Sequence, residues 1–263
     1  MKPGELFESK CCDYLNKTYG NKTLIFKNEG GMNSTVSDIA VLKNNIVEYF
    51  IEAKDANAQS GQFVLLPNED KKIFIFSPKN HSKQNKITDI IIKYMNKNFE
   101  NFSQAGTAGQ TLNLTPSIFA DWIIDYYKSK NVKYVISGNT DYIIFPIRKF
   151  PSYFDITAKY RIKKSGSRAP AKRDVETIKS FLKNMYPNAK LSSEGKKLFI
   201  SIQELINTDR FVIDKSTYYL SKQSSNNYEV RKLSNTYNMN VIFSIKLKCS
   251  QNKDDLKEFE NDL

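Results

Sequence analysis

Residues 37–62 read SDIAVLKNNIVEYFIEAKDANAQSGQ, and no other stretch limits the folds open to the chain as much. Two apolar runs, residues 39–42 and 46–53, flank Asn44 and Asn45. β-Prone runs on either side of two residues that tolerate left-handed backbone angles predict a β-hairpin. The second run is apolar on both faces, with Val47, Tyr49, Ile51 and Ala53 on one side and Ile46 and Phe50 on the other. A strand covered on both faces belongs in the interior of a sheet. Glu52 and Lys54 stand two residues apart at its far end and so project to the same side. Folding the hairpin about its turn brings Asp38 level with Glu52 to within about one residue of register. Two carboxylates and an ammonium then converge at the end of a buried strand.

Two carboxylates suit a hard divalent cation such as magnesium, which keeps several waters and shares itself with substrate phosphate. A lysine beside such a cation and a phosphate can orient the nucleophile or stabilise developing charge. The alternative is a solvated strand end whose charges pair with each other, and Glu52 with Lys54 alone does not separate the two. Asp38 in register, and the polar run Gln59, Ser60, Gly61, Gln62 directly downstream, favour a site. Residues 55–62 lose the apolar alternation and read as a loop or helix start. There Gln59, Ser60 and Gln62 could hold the attacking water or a phosphate, or serve only as loop caps.

The chain has 263 residues, ample for one large core or a core with an appended subdomain. Its 40% hydrophobic and 13% aromatic content excludes a disordered chain. No apolar run of about eighteen residues occurs, so no membrane span is expected. The opening MKPGELFESK lacks a signal core. Three cysteines, two of them adjacent at Cys11 and Cys12, make neither a disulfide framework nor a zinc spacing. A reducing, cytoplasmic setting is the expectation. A net charge of +12 implies an acidic partner, of which nucleic acid is the usual one. A membrane surface would call for a basic amphipathic helix with a bulky apolar face, and none stands out. The single histidine, His81, excludes nucleases built on paired histidines and lies in a polar string expected to be an exposed loop.

Residues 5–17 carry Phe7, Cys11, Tyr14 and Leu15 at helical spacing. Glu8 falls inside that apolar arc, where a carboxylate is costly without a partner. Either it sits at the rim and reaches water, or it points towards Asp38 and Glu52. Strands are expected at 23–26, 72–77, 133–136 and 142–145, with turns at 28–31 and 138–139. Helices are expected at 85–102 and, opened by Pro116, at 115–130. This alternation predicts a mixed α/β core. The glycine-containing loop at 104–110 is not followed by Gly-Lys-Ser/Thr, so it is no P-loop.

From residue 147 the chain turns basic. Lys159, Arg161 and Lys163 alternate along an expected strand and share one face. Lys164, the small-residue loop with Ser165, Ser167 and Arg168, and then Lys172 and Arg173 follow. Such a strand and loop suit a duplex groove, where lysines take phosphates and arginines can read guanine edges. A solvated surface strand is the competing reading. A helix at 173–186 and strands at 198–202, 210–213, 218–220, 228–232 and 240–248 predict a β-rich region, and the acidic tail at 253–263 is expected to fray. The expected organisation is a central mixed β-sheet flanked by helices over residues 1–146, with a basic, β-rich region over 147–263 packed on it as one compact unit.

Asp38, followed by Glu52, Ala53 and Lys54, resembles the PD-(D/E)xK nuclease signature typical of many type II restriction endonucleases. Ser37 stands where the namesake pattern has proline. Residues 58–63 are similar to the polar segment after the catalytic lysine in some restriction enzymes. The resemblance covers residues 1 to about 65. It implies a restriction-endonuclease-like core and a magnesium-dependent endodeoxyribonuclease cutting double-stranded DNA at a specific sequence. Asp38 and Glu52 would bind the metal, Lys54 would orient or activate water, and Glu8 and Gln62 would assist. DNA contacts would come from Gln59, Ser60 and the basic set at 159–173. Cutting both strands of a symmetric site implies a homodimer. The rivals are a structure-specific or repair nuclease with the same core, and a basic DNA-binding protein with an inert acidic cluster.

Overall fold

The computed structural model describes residues 3–30, 36–138, 141–203 and 210–263. Gly31, Asn33, Ser34, Thr35 and Asn139, which enter two of the expected turns and the approach to the hairpin, lie outside those residues. Contacts divide the chain into two units, Met1–Arg161 with Met239–Leu263, and Ile162–Asn238. This corrects the bounds expected at 146/147: the chain leaves the first unit later and returns to it.

In the first unit α1 (Pro3–Tyr19) precedes β1 (Leu24–Asn28), β2 (Ile39–Lys43), β3 (Ile46–Asp55), β4 (Asn57–Asn68) and β5 (Ile73–Phe76). Then come α2 (Lys86–Lys97), α3 (Phe99–Ser103), β6 (Gln110–Thr111), α4 (Pro116–Lys128), β7 (Val132–Gly138), β8 (Ile143–Pro146), α5 (Phe150–Tyr153) and β9 (Phe154–Lys164), whose last three residues belong to the second unit. The second unit holds β10 (Ser167–Arg168), α6 (Val175–Met185), β11 (Lys190–Glu194), β12 (Lys197–Ser201), β13 (Arg210–Ile213), β14 (Ser216–Ser224) and β15 (Asn227–Leu233). The chain closes the first unit with β16 (Tyr237–Leu247) and α7 (Lys253–Asn261).

The sheet that carries the hairpin has five strands in the order β1-β2-β3-β7-β8. Its pairs are antiparallel except β3 with β7, so it is mixed, as expected. The hairpin turns on Asn44 and Asn45 at φ of 53° and 65°, left-handed angles that asparagine tolerates. Its register pairs Ile39 with Ile51, which places Asp38 one step beyond, at the level of Glu52. Tyr49, Ile51 and Ala53 form one face of β3 and pack with Cys11, Cys12 and Leu15 of α1. Glu52 and Lys54 therefore project from the opposite face, the side on which Tyr127 of α4 meets Lys54. A parallel pair needs a crossover, and residues 56–131, which include α4, supply it.

Three local expectations are corrected. Residues 55–62 are not a loop or helix start: they run into β4, which pairs with β16 and β5. The ladder slips between Ile242 and Ser244, opposite Ser60 and Gly61, so β4 carries a bulge there. Before it Ala56 and Ser60 are buried, and after it Phe63 and Leu65. The switch from even to odd positions erases the alternation that would have announced a strand. Gly61 sits at φ +93°, where a Cβ would come within 2.7 Å of Trp122 Cζ3. The expected helix at 85–102 is broken at Asn98, whose side chain donates to the Tyr94 carbonyl and whose backbone N–H caps the end of α2. The acidic tail does not fray. Asn252 accepts from the backbone of Asp254 and Asp255 to cap α7, Phe259 is fully buried in the α1–β3 core, and Asp255 accepts from Tyr153. The acids that suggested fraying are paired, Glu258 with Arg148 and Asp262 with Lys133.

The second unit is an antiparallel sheet in the order β11-β12-β15-β14-β13, with β10 alongside β15. Ile178 and Leu182 of α6 pack on Leu198, Ile200, Tyr218, Leu220, Tyr228 and Val230. The expected helix at 173–186 begins at Val175, after a 3-10 turn over Lys172–Asp174. No helix among the described residues is long and apolar enough to cross a membrane.

Candidate active site

Asp38, Glu52 and Lys54 meet as the hairpin register requires. Lys54 Nζ lies 2.6 Å from Glu52 Oε1, 3.4 Å from Asp38 Oδ2 and 3.1 Å from the Ala53 carbonyl oxygen. Asp38 Oδ2 also accepts from the Ala53 backbone N–H at 3.0 Å, which ties the segment before β2 to the end of β3. Glu52 is 6% exposed. Its Oε2 is buried and makes no hydrogen bond among the described residues.

Burial and charge pull the pair in different directions. Burial pushes the Glu52 carboxyl up to about 7, with Asp38 adding to the rise and the Lys54 ammonium opposing it. Burial alone would depress Lys54, but the Asp38 and Glu52 carboxylates outweigh it and hold the ammonium well above its ordinary range. Lys54 is therefore a fixed positive charge at neutral pH. The three oxygens around it are hard donors of the kind a divalent cation takes, and the buried, unpaired Glu52 Oε2 is a fourth. The donor set fits such a cation.

Two residues on this face were not singled out from sequence. Tyr127 of α4 is almost fully buried and its ring lies beside Lys54, with Nζ 5.8 Å from the centroid. Its hydroxyl shares a 3.1 Å hydrogen bond with Ser60 Oγ. Ser137 of β7 is level with Lys54 in the parallel register and is fully buried. In α4 the spacing of Ile123 and Tyr127 reads as ordinary core, and Ser137 reads as a strand end. No local signal separates either from packing.

Glu8 is half-buried on α1 and lies against Gly30, where a Cβ would collide with Glu8 Oε2. The Gly30 N–H donates to the Asp38 carbonyl at 3.0 Å, so Glu8 flanks the segment that carries Asp38. Gln62 is not brought to the cluster. It is exposed on β4, beyond the bulge, and accepts from Asn240 Nδ2 at 2.9 Å. Gln59 is exposed, whereas Ser60 is fully buried against Tyr127 and offers no surface to DNA. Neighbouring positions of a strand face opposite sides, so Gln59 points out where Ser60 points in.

The basic residues keep the expected alternation. Along β9, Ile156, Ala158 and Tyr160 are buried while Lys159 and Lys163 are exposed and Arg161 is half-buried. In the second unit Arg168, Lys172 and Arg173 are exposed. Lys164 bonds Thr217 and lies over the Tyr237 ring, Ser165 shares hydrogen bonds with Ser234 and Thr236, and Ser167 accepts from Arg231 and bonds Tyr219. His81 is exposed, as expected, and Cys11, Cys12 and Cys249 are unbridged.

Comparison with known proteins gives no matching family model and no matching curated protein. Among solved structures, HhaI endonuclease in complex with DNA matches with a TM-score of 0.75. The two share 41% identity, and the match covers 98% of this chain and 97% of the other. With that identity over nearly the whole of both chains, a mixed sheet of the same fold, and paired carboxylates beside a buried lysine at its strand end, the protein belongs to the family of HhaI endonuclease, the type II restriction endonucleases.

Proposed function

We propose that the protein is a magnesium-dependent endonuclease of the PD-(D/E)xK type, cutting double-stranded DNA at a specific sequence. The observation that supports this most is the meeting of Asp38, Glu52 and Lys54, with the buried Glu52 Oε2 left over once the three N–H groups of the lysine are met. Asp38, Glu52 and the Ala53 carbonyl would hold the cation. A magnesium ion held there would supply positive charge for the phosphate and the departing oxygen. Lys54, charged at neutral pH, orients the attacking water and offsets the negative charge that builds as it adds to phosphorus. Tyr127 keeps the ammonium on the carboxylate side, and Glu8 supports the segment carrying Asp38. Lys159, Arg161, Lys163, Arg168, Lys172 and Arg173 contact DNA, the partner with which HhaI endonuclease was solved. A homodimer, one site per strand, follows from a symmetric target.

Plasmid DNA incubated with the protein in magnesium gives discrete fragments, and EDTA abolishes them. Smearing, or cutting confined to branched substrates, would favour a repair nuclease. A protein that shifts DNA in a gel but cuts none in magnesium or manganese is not an enzyme of this kind.

The Glu52 carboxyl also sets a pH dependence. A proton on Glu52 competes with the cation, so protonation must be reversed for the site to load. At sub-saturating magnesium the single-turnover rate rises as pH increases through about 7 and then levels, and saturating magnesium moves the midpoint down. A rate independent of pH on either side of that value would remove Glu52 from the loading step.

A further inference from the structure

Asp38, Glu52 and Lys54 do not exhaust the polar groups on their face of the sheet. Ser137 pairs with Lys54 in the parallel β3–β7 register, as Val135 pairs with Glu52. Register neighbours project to the same side, about 4.8 Å apart across the ladder. Tyr134 and Ile136 join Ile51 and Ala53 in the α1 core, so Ser137 projects with Glu52 and Lys54, away from it. Its relative exposure is 0%, and its Oγ makes no hydrogen bond among the described residues.

A buried hydroxyl without a partner is unfavourable, and native proteins seldom keep one where alanine would fit. Serine and alanine differ here by the oxygen alone, and β7 is otherwise apolar from Tyr134 to Ile136. Glu52 Oε2, on the neighbouring strand and the same face, is likewise buried and unpaired. Two unsatisfied oxygens on one face, at diagonal positions of adjacent strands, are matched to a hydrated ion that can serve both.

We propose that Ser137 is a positioning residue of the cation site. Its hydroxyl hydrogen-bonds the hydration water that an ion of magnesium's size retains, while Glu52 Oε2 takes the ion. Groups that orient a metal's surroundings in this way contribute roughly 10- to 100-fold to affinity or activity when removed. This rests on the reading of the carboxylate pair as a metal site and adds to it a residue outside the sequence signature.

The test is Ser137→Ala in the full chain, read by titration calorimetry with Mn2+ in the absence of DNA and by thermal melting in EDTA. The expected result has opposite signs: an unchanged or higher Tm, because an unpaired hydroxyl has gone, with Mn2+ affinity reduced at least about fivefold. In cleavage assays kcat falls while KM for DNA is unchanged. Wild-type Mn2+ affinity in the variant overturns the role given to Ser137 and leaves the metal site standing. A lowered Tm with equal Mn2+ affinity shows that the hydroxyl serves packing, and also overturns it. Wild-type protein that binds no Mn2+ overturns both.

Discussion

Lys54→Ala is expected to lower the single-turnover cleavage rate by about a thousandfold, with DNA affinity in EDTA nearly unchanged. The size follows from the role: one preorganised charge aimed at developing negative charge is worth roughly 10²–10³, and water positioning adds to it. The fold should survive. Removing one member of a buried ion pair commonly costs about 3–5 kcal/mol because the other charge is stranded. Here Glu52 has a way out. Burial already pushes its carboxyl up to about 7, and Lys54 is the first force opposing that rise. Without the ammonium Glu52 takes a proton at neutral pH, and the stranded charge disappears. The same proton weakens cation binding, so the defect should deepen as magnesium is lowered. Quench-flow cleavage and fluorescence anisotropy on one oligonucleotide duplex measure the two quantities. A variant within tenfold of wild type would remove Lys54 from the chemistry.

Phe259→Ala should be the most destabilising conservative change in the last helix. Phe259 is 0% exposed, edge-on to Tyr19 and to Tyr134, and shares its cluster with Cys11, Leu15 and Ile51. Truncating such a ring costs about 3–5 kcal/mol, a large part of the roughly 5–15 kcal/mol that holds a domain together. Urea unfolding followed by far-UV circular dichroism should show the midpoint falling with the slope unchanged. A loss below about 1 kcal/mol would mean that α7 contributes little to the core of its unit, and that the fraying expected from its acidic composition was the better description.

The sequence made one region legible because its signals were local and mutually consistent. Asn44 and Asn45 fix the turn, the turn brings Asp38 to within one residue of Glu52, and a bulge opposite Val41 and Leu42 supplies the last step that sets it beside Glu52 and Lys54. The alternation of Lys159, Arg161 and Lys163 against buried Ala158 and Tyr160 was equally local. What was missed came from distant segments or from a broken period. β4 was hidden by a bulge that moves burial from Ser60 to Phe63. α7 was hidden because its carboxylates find Arg148 and Lys133, both more than a hundred residues earlier. Tyr127 and Ser137 reach the cluster only through the crossover that makes β7 parallel to β3. Gln62 was expected at the cluster from the polar run that follows Lys54; beyond the bulge it is exposed and bonds Asn240.

The division of the chain has a consequence for its synthesis. The segment Ile162–Asn238 interrupts the first unit, whose remaining strand and helix, β16 and α7, are made only afterwards. β16 is the partner that β4 and β9 await, and Phe259 fills the core beneath Cys11 and Leu15. A growing chain thus carries Asp38, Glu52 and Lys54 long before the layers that hold them are complete. For an enzyme that cuts DNA, this order of manufacture leaves the core beneath the site unfinished until the segment between the two halves of the first unit has been made.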